Sequence, residues 1–288
     1  MTGTLRWRLV ATNDDPQLSR YLEEQEPAVT VISERLRMER LDRRLRRGGR
    51  FYVLTTGDTV VATVYHGPGG FFFPHGIAGC ADRDDILSEI RRKAGSFVRI
   101  HSIMGELNEV DTLATVFGSE PRTTIDYELL EIAPNAMPQA ERPPLAGATL
   151  IEAEESMWKT ILPLQVAYEI EEVLPAGSEP NINHSKATLV ESLRNHTVLL
   201  ATLNGEVIAR VATNAHGFTG DQIGGVYTDP RFRGRGIARW LMTELLARLA
   251  RERRSASLFV KANNEIAINL YRNLGFSFES MFRIRYYS

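Results

Sequence analysis

The run from Gln222 to Met242 constrains this chain more than any other stretch. Ile223 to Thr228 is apolar and β-branched, which suits a strand. Pro230 ends it, because proline has no N–H for a ladder. Arg233, Gly234, Arg235 and Gly236 follow, and from Ile237 onward apolar residues recur at helical spacing. The stretch therefore predicts a strand, a tight turn and the opening of a helix. Two glycines let the backbone turn sharply and let a ligand approach it closely. The free N–H groups of a first helical turn, with the helix dipole, attract anions. Arg231, Arg233 and Arg235 add positive charge around that point. The local chemistry is that of a phosphate or pyrophosphate cradle. No Gly-Lys-Ser/Thr follows, so it is not a Walker loop, and the three glycines of a dinucleotide fingerprint are absent. A short glycine turn is weak evidence alone, and the same turn also serves as a plain link between strand and helix.

The remaining elements alternate around this unit. Before it, the pattern predicts a strand over 5–10, helices over 16–24 and 29–47, and a hairpin of 51–56 with 59–65 across Gly57-Asp58. After a second turn at 67–70 come a strand at 71–74, a helix over 84–93, a strand over 97–103, a helix over 106–117 and a strand over 123–132. The helix over 29–47 carries Arg35, Arg37, Arg40, Arg43, Arg44, Arg46 and Arg47 on one face, interspersed with Glu34, Glu39 and Asp42. That mixture reads as a solvated helix face rather than a nucleic-acid patch. Four prolines between Ala133 and Gly147 mark a semi-rigid linker. The expected organisation is a domain over 1–138, a linker over 139–147 and a domain over 148–288.

The second half repeats the order of the first. A strand over 149–153 precedes a helix over 158–174, in which Pro163 either kinks the helix or opens it. A helix over 185–195 and a hairpin of 197–203 with 206–213 across Asn204-Gly205 lead to the glycine turn. A helix to Arg253, a strand from Ser257, a helix from Asn264 and a strand ending near Tyr287 complete it. Asn108-Glu-Val-Asp faintly echoes Asn264-Glu-Ile-Ala, which sets Thr115 opposite Tyr271. The first half has no counterpart of Gly234-x-Gly236.

At 288 residues and 43% hydrophobic, the chain suits two domains with proper cores. A net charge of −2 implies no general attraction to nucleic acid or membrane. The single cysteine, Cys80, excludes a disulfide framework and fits a reducing, cytoplasmic setting. The N-terminus lacks the apolar core of a signal peptide, no apolar run reaches membrane-span length, and the six histidines lack zinc-like spacing.

Arg231-x-x-Gly234-x-Gly236-x-Ala238, after a strand ending at Val226-Tyr227-Thr228-Asp229-Pro230, resembles the acetyl-CoA motif of the GNAT acetyltransferase superfamily, Gln/Arg-x-x-Gly-x-Gly/Ala. Asn264-Glu-Ile-Ala-Ile-Asn-Leu-Tyr-Arg-Asn-Leu-Gly-Phe276 resembles the helix and Leu-Gly-Phe turn that close such domains. The likeness is specific over about 197–288 and only architectural over 1–132. It implies a mixed α/β (α+β) chain of two tandem GNAT-like domains, each a mostly antiparallel mixed sheet flanked by helices, the first copy having lost its cofactor site.

The resemblance also implies an activity: transfer of acetyl from acetyl-CoA to a primary amine, on a small molecule or a peptide, by direct attack in a ternary complex. Two alternatives stay open, a non-catalytic CoA-binding module and a transferase of longer acyl groups. The pyrophosphate would rest on the amides of Arg233, Gly234, Arg235, Gly236, Ile237 and Ala238. Backbone N–H groups of Val226, Tyr227 and Thr228 would meet the thioester carbonyl. Tyr271 stands where the family carries its general acid, although the same residue fits a half-buried core aromatic. Asn264 resembles a cofactor-contacting asparagine and equally a helix N-cap. The base is unassigned. Asp221 is the nearest carboxylate to the position where some relatives carry a glutamate, while Glu169, Glu171, Glu172 and His184 lie near the expected acceptor side.

Overall fold

The computed structural model describes residues 5–10, 12–38, 48–80, 83–94, 100–174, 177 and 179–287. The far part of the Arg-rich helix, including Arg40, Arg43, Arg44, Arg46 and Arg47, lies outside them.

The first half runs β1 (Leu5–Leu9), α1 (Pro16–Glu24), α2 (Thr30–Met38), β2 (Arg50–Thr56), β3 (Thr59–Gly67), β4 (Phe71–His75), α3 (Arg83–Ala94), β5 (Ser102–Glu106), α4 (Leu107–Phe117) and β6 (Thr123–Ile132). The second runs β7 (Ala148–Glu152), α5 (Trp158–Tyr168), α6 (Ile182–Asn195), β8 (Val198–Leu203), β9 (Glu206–His216), β10 (Gly220–Thr228), α7 (Ile237–Arg251), β11 (Ser255–Lys261), α8 (Glu265–Asn273) and β12 (Ser277–Tyr286). Within the described residues the predicted elements are present with three adjustments. The strand expected over 97–103 lies further along, at β5, with 95–99 outside the described residues. His184, expected in a loop, sits in the first turn of α6, where its N–H donates to the capping side chain of Asn181 (3.1 Å). Pro163 falls inside α5 rather than at its first turn.

The two halves exchange their last strands. The order in the single twelve-stranded sheet is β1-β2-β3-β4-β5-β12-β6-β11-β10-β9-β8-β7. β6 pairs with β11 over Tyr127–Ile132, and β12 lies between β5 and β6. The strands are mostly antiparallel; β4–β5 and β10–β11 are parallel. Helices cover both faces, so β9 is buried at nearly every position instead of alternating. On one face of the second half, α7 packs Ile237, Leu241, Leu245 and Leu249, at helical spacing, against β8 to β11. On the other, α5 and α6 place Ile161, Leu164, Leu189 and Leu193 over the sheet. The first half has the same two layers, with α1 and α2 opposite α3 and α4.

A carboxylate locks the halves together. Glu26 accepts N–H bonds from Phe218 (2.7 Å) and Thr219 (2.8 Å), in the turn between β9 and β10, and from Gly220 (3.3 Å), the first residue of β10. Arg37, from α2, donates to the carbonyl of His216 at 2.9 Å.

Candidate active site

β10 and β11 pair only from Gly220–Ser255 to Ile223–Leu258, and then part. The cause lies in Gly224-Gly225. The register of β10 against β9 slips between Gly224 and Tyr227, and Gly225 has φ 60°, in the left-handed region that disfavours other residues. A side chain there would also press on a neighbour. A Cβ on Gly225 would stand 2.9 Å from Nη2 of Arg210, a residue only 3% exposed, so Arg210 would have to shift. Arg210 donates to the side-chain carbonyl of Gln165, whose amide donates to Glu169 (2.6 Å), and Ser185 donates to the other oxygen of Glu169. This buried polar chain from α6 through α5 to β9 braces the bulge from below.

The gap between the parted strands is a cavity of about 450 Å³. Val226, Tyr227, Thr228, Arg233, Gly234, Gly236, Ile237, Ala238, Asn264 and Tyr271 all line it. Arg235 is the exception. Its guanidinium lies over the Phe232 ring at 5.8 Å, and it is not among the lining residues. A turn that brings amides to the cavity need not bring its alternate side chains as well. Arg231 likewise turns away, onto Asp229 (2.8 Å) and Glu206.

The turn has the expected shape. Gly234 and Gly236 have φ 71° and 77°. No side chain caps the start of α7, because its N-cap is Gly236. The first-turn N–H groups of a fifteen-residue helix therefore face the cavity's end without a side-chain acceptor. Arg233 anchors the turn by donating from Nε to the Thr228 carbonyl (3.0 Å).

Asn264 is the N-cap of α8 and stands in the cavity wall. Its Oδ1 accepts from the Ala267 N–H (3.1 Å) as an N-cap, while the residue lines the cavity. Tyr271 is 7% exposed and packs edge-on to Phe276, yet it also lines the cavity. Its hydroxyl has no hydrogen-bond partner among the described residues. Burial, with Tyr168 and Glu172 nearby, raises its pKa above the usual phenol value, so it stays protonated.

The carboxylates separate clearly. Asp221 is 2% exposed and does not line the cavity; it is held by His216 Nδ1 (2.9 Å) and Arg254 (2.7 Å). Glu169 is committed to the buried chain under the bulge. Glu171 and Glu172 line the cavity, on a π-helical turn over Glu169–Val173 that continues α5.

Among the lining residues that sequence reasoning did not single out are Tyr127, Tyr168, Arg239 and Lys261. Tyr127 belongs to the first half and arrives on β6. Only the pairing of β6 with β11 brings it there, and no local pattern announces that pairing.

The first half has the corresponding parting of strands, since β4 and β5 pair only at Phe71–Ser102 and Phe72–Ile103. The turn after β4 differs. The N–H groups of Ile77 (2.9 Å) and Ala78 (3.2 Å) donate to the carboxylate of Glu109, on α4. Glu109 is 7% exposed, and burial raises its pKa against the pull of these amides. The amides free in the second half are occupied here by the chain's own anion. Thr115, opposite Tyr271 in the sequence echo, lines a separate acidic hollow with Asp84 and Asp111.

Residues 158–276 match the model of the Acetyltransferase (GNAT) family. This segment is a GNAT acetyltransferase domain. Solved structures similar to the whole chain include a Drosophila protein (14% identity, TM-score 0.69, covering 97% of this chain and 98% of that one). A tandem GNAT protein from the clavulanic acid biosynthesis pathway, solved without AcCoA, is 15% identical with a TM-score of 0.60, covering 98% of each chain. A GCN5-related N-acetyltransferase from Kribbella flavida is 17% identical with a TM-score of 0.56, covering 90% of this chain and 93% of that one. No curated protein matches the sequence. At these identities the structural likeness carries the fold: a tandem GNAT arrangement over nearly the whole chain. No described helix is long and apolar enough to cross a membrane.

Proposed function

We propose that the chain is an acetyl-CoA-dependent N-acetyltransferase with one active site, in its second half. The supporting observation is the cavity between the parted β10 and β11, which ends at an uncapped helix N-terminus behind two glycines in the left-handed region. Acetyl-CoA bound there would supply a thioester-activated acetyl group. The N–H groups of 234–238 would receive its pyrophosphate, for which helix N-termini are suited. Backbone N–H groups of 226–228, freed from β11 by the parting, would polarise the thioester carbonyl. The Tyr271 hydroxyl, protonated and without a hydrogen-bond partner among the described residues, would hold a proton for the departing thiolate. The acceptor is a primary amine, entering beside Glu172 and Tyr127.

The chain is organised as repeats over 1–138 and 148–288 joined by 139–147, with the last strand of each exchanged. Glu109 on the amides of Ile77 and Ala78 supports a first repeat that takes no CoA.

The test is release of free CoA thiol from acetyl-CoA, with and without a panel of primary amines. Amine-dependent release is expected. Tight acetyl-CoA binding with no release for any amine would reduce the chain to a binding module.

A further inference from the structure

Three neighbouring carboxylates, Glu169, Glu171 and Glu172, sit on one π-helical turn, and the structure gives each a different task. Such turns are rare and concentrate at functional sites. Glu169 fixes the base of the turn through Gln165 and Ser185. The Leu174 N–H closes it onto the Glu169 carbonyl at 2.7 Å. The tip is held quite differently.

Glu171 receives both terminal nitrogens of Arg233, at 2.8 and 2.7 Å, and the Tyr227 hydroxyl at 3.0 Å. Its backbone carbonyl accepts from Lys261 Nζ at 3.1 Å. Glu172 stands 3.6 Å from Lys261 and accepts from Asn264 Nδ2 at 3.4 Å. Tyr227 belongs to β10, Arg233 to the glycine turn, Lys261 to the end of β11, and Asn264 caps α8. The turn thus bridges the parted strands at the mouth of the cavity, and all four partners line it.

We infer that this turn is an internal latch on the cofactor site, with the Glu171 carboxylate occupying on Arg233 the place of an incoming phosphate. The inference rests on the CoA reading of the cavity and adds how that cavity is gated. A carboxylate and a phosphate engage a guanidinium in the same forked way, so both cannot hold Arg233 together. The Arg233 hydrogen bonds keep Glu171 below the usual carboxylate range, which leaves it anionic at neutral pH. Arg231 and Arg235 are directed elsewhere, so Arg233 is the cavity-lining cation of the turn. The tip has little apolar anchorage: Ile170 is 53% exposed, Val173 38% and the Glu171 side chain 43%. A segment fixed at its base and held at its tip by exposed ion pairs is the kind that opens at low cost. CoA would bind by exchanging its pyrophosphate for Glu171 on Arg233. The freed turn, still tethered at Glu169, would then stand beside the acceptor's path.

The test is calorimetric titration of CoA into the full chain and into the variants Glu171→Gln and Glu206→Gln. An exposed ion pair resists displacement only weakly, so Glu171→Gln should bind CoA about two- to five-fold tighter than the parent. Glu206→Gln removes a carboxylate that pairs with Arg231 outside the cavity lining; it leaves the Arg233 fork intact and should bind as the parent does. CoA binding in Glu171→Gln that is equal to or weaker than the parent's would overturn the latch. So would an equal gain in both variants, since that would mean only a diffuse negative patch. No CoA binding in any of the three would overturn the reading of the cavity itself, and the latch with it.

Discussion

Replacing Gly236 by valine tests the cradle at its narrowest requirement. Gly236 has φ 77° at the N-cap of α7, and a Cβ there would meet only the Pro144 ring at 3.6 Å. Space is therefore not the obstacle; the backbone conformation is. An L-residue in the left-handed region costs about 1–2 kcal/mol, and a β-branched one is a clear outlier. The chain can relieve this by rotating the peptides around 235–237, which swings the first N–H groups of α7 away from the cavity. A hydrogen bond to a charged group contributes about 1.5–3 kcal/mol. Losing two of them to a pyrophosphate would cost about 3–6 kcal/mol, or about 10²–10⁴ in Kd. Gly234→Ala, whose Cβ would meet nothing within 4 Å, should bring only the strain of about 1–2 kcal/mol and a far smaller loss. The assay is calorimetric titration of acetyl-CoA, with circular dichroism to show that α7 persists. Unchanged affinity in a folded Gly236→Val variant would refute the cradle.

Three further outcomes follow from the same geometry. Tyr271→Phe should lower kcat by about 10²–10⁴ at unchanged acetyl-CoA affinity and thermal stability, because among the described residues the hydroxyl has no partner to strand; unchanged kcat in pre-steady-state measurements would make Tyr271 a packing residue. Asp221→Asn should destabilise the fold by about 3 kcal/mol, as for a broken buried ion pair, read as a lower Tm. Burial opposes ionisation of Asp221, but His216 and Arg254 outweigh it and lower its pKa, while the Asp221 hydrogen bond raises that of His216. The His216 contribution is therefore full below its unfolded pKa of about 6.5 and lost as pH rises through its higher folded value; the Asp221 contribution is present above about pH 4 and lost as pH falls through its lower folded value. Tm in Asp221→Asn should lose the decline on the alkaline side of about pH 6.5, and an unaltered Tm–pH profile would contradict the pairing. Finally, residues 148–288 expressed alone should not fold, because β6 occupies the place between β11 and β12; a cooperative thermal transition in that fragment would contradict the dependence on the exchanged strand.

The shape of the glycine turn and the N-cap at Asn264 were legible in the sequence because each depends on local chemistry, a backbone conformation and a capping side chain; Tyr271 was singled out by resemblance, and the structure places it in the cavity wall. The separate layers were legible for the same reason, through periodicity. The exchange of β6 and β12 was not, since Tyr127 and Phe282 meet across the sheet with no pattern in either segment to announce it. The acidic turn was only half legible. Glu169, Glu171 and Glu172 were visible as a cluster, but their division of labour depends on Arg210, Arg233 and Lys261, which arrive from three other elements. The direction of the Arg235 side chain was not legible, because charge in a turn does not say which way alternate side chains point; its guanidinium lies over the Phe232 ring. The occupation of the first half's turn by Glu109 was likewise invisible, although the lack of a counterpart of Gly234-x-Gly236 already marked that turn as different.

The central claim is that acetyl-CoA binds between the parted β10 and β11, and a crystal structure of the full chain grown with CoA tests it most directly. The account predicts one CoA per chain, its pyrophosphate on the N–H groups of 234–238 and its sulfur within hydrogen-bonding reach of the Tyr271 hydroxyl. CoA between β4 and β5, or a sulfur remote from Tyr271, would contradict it.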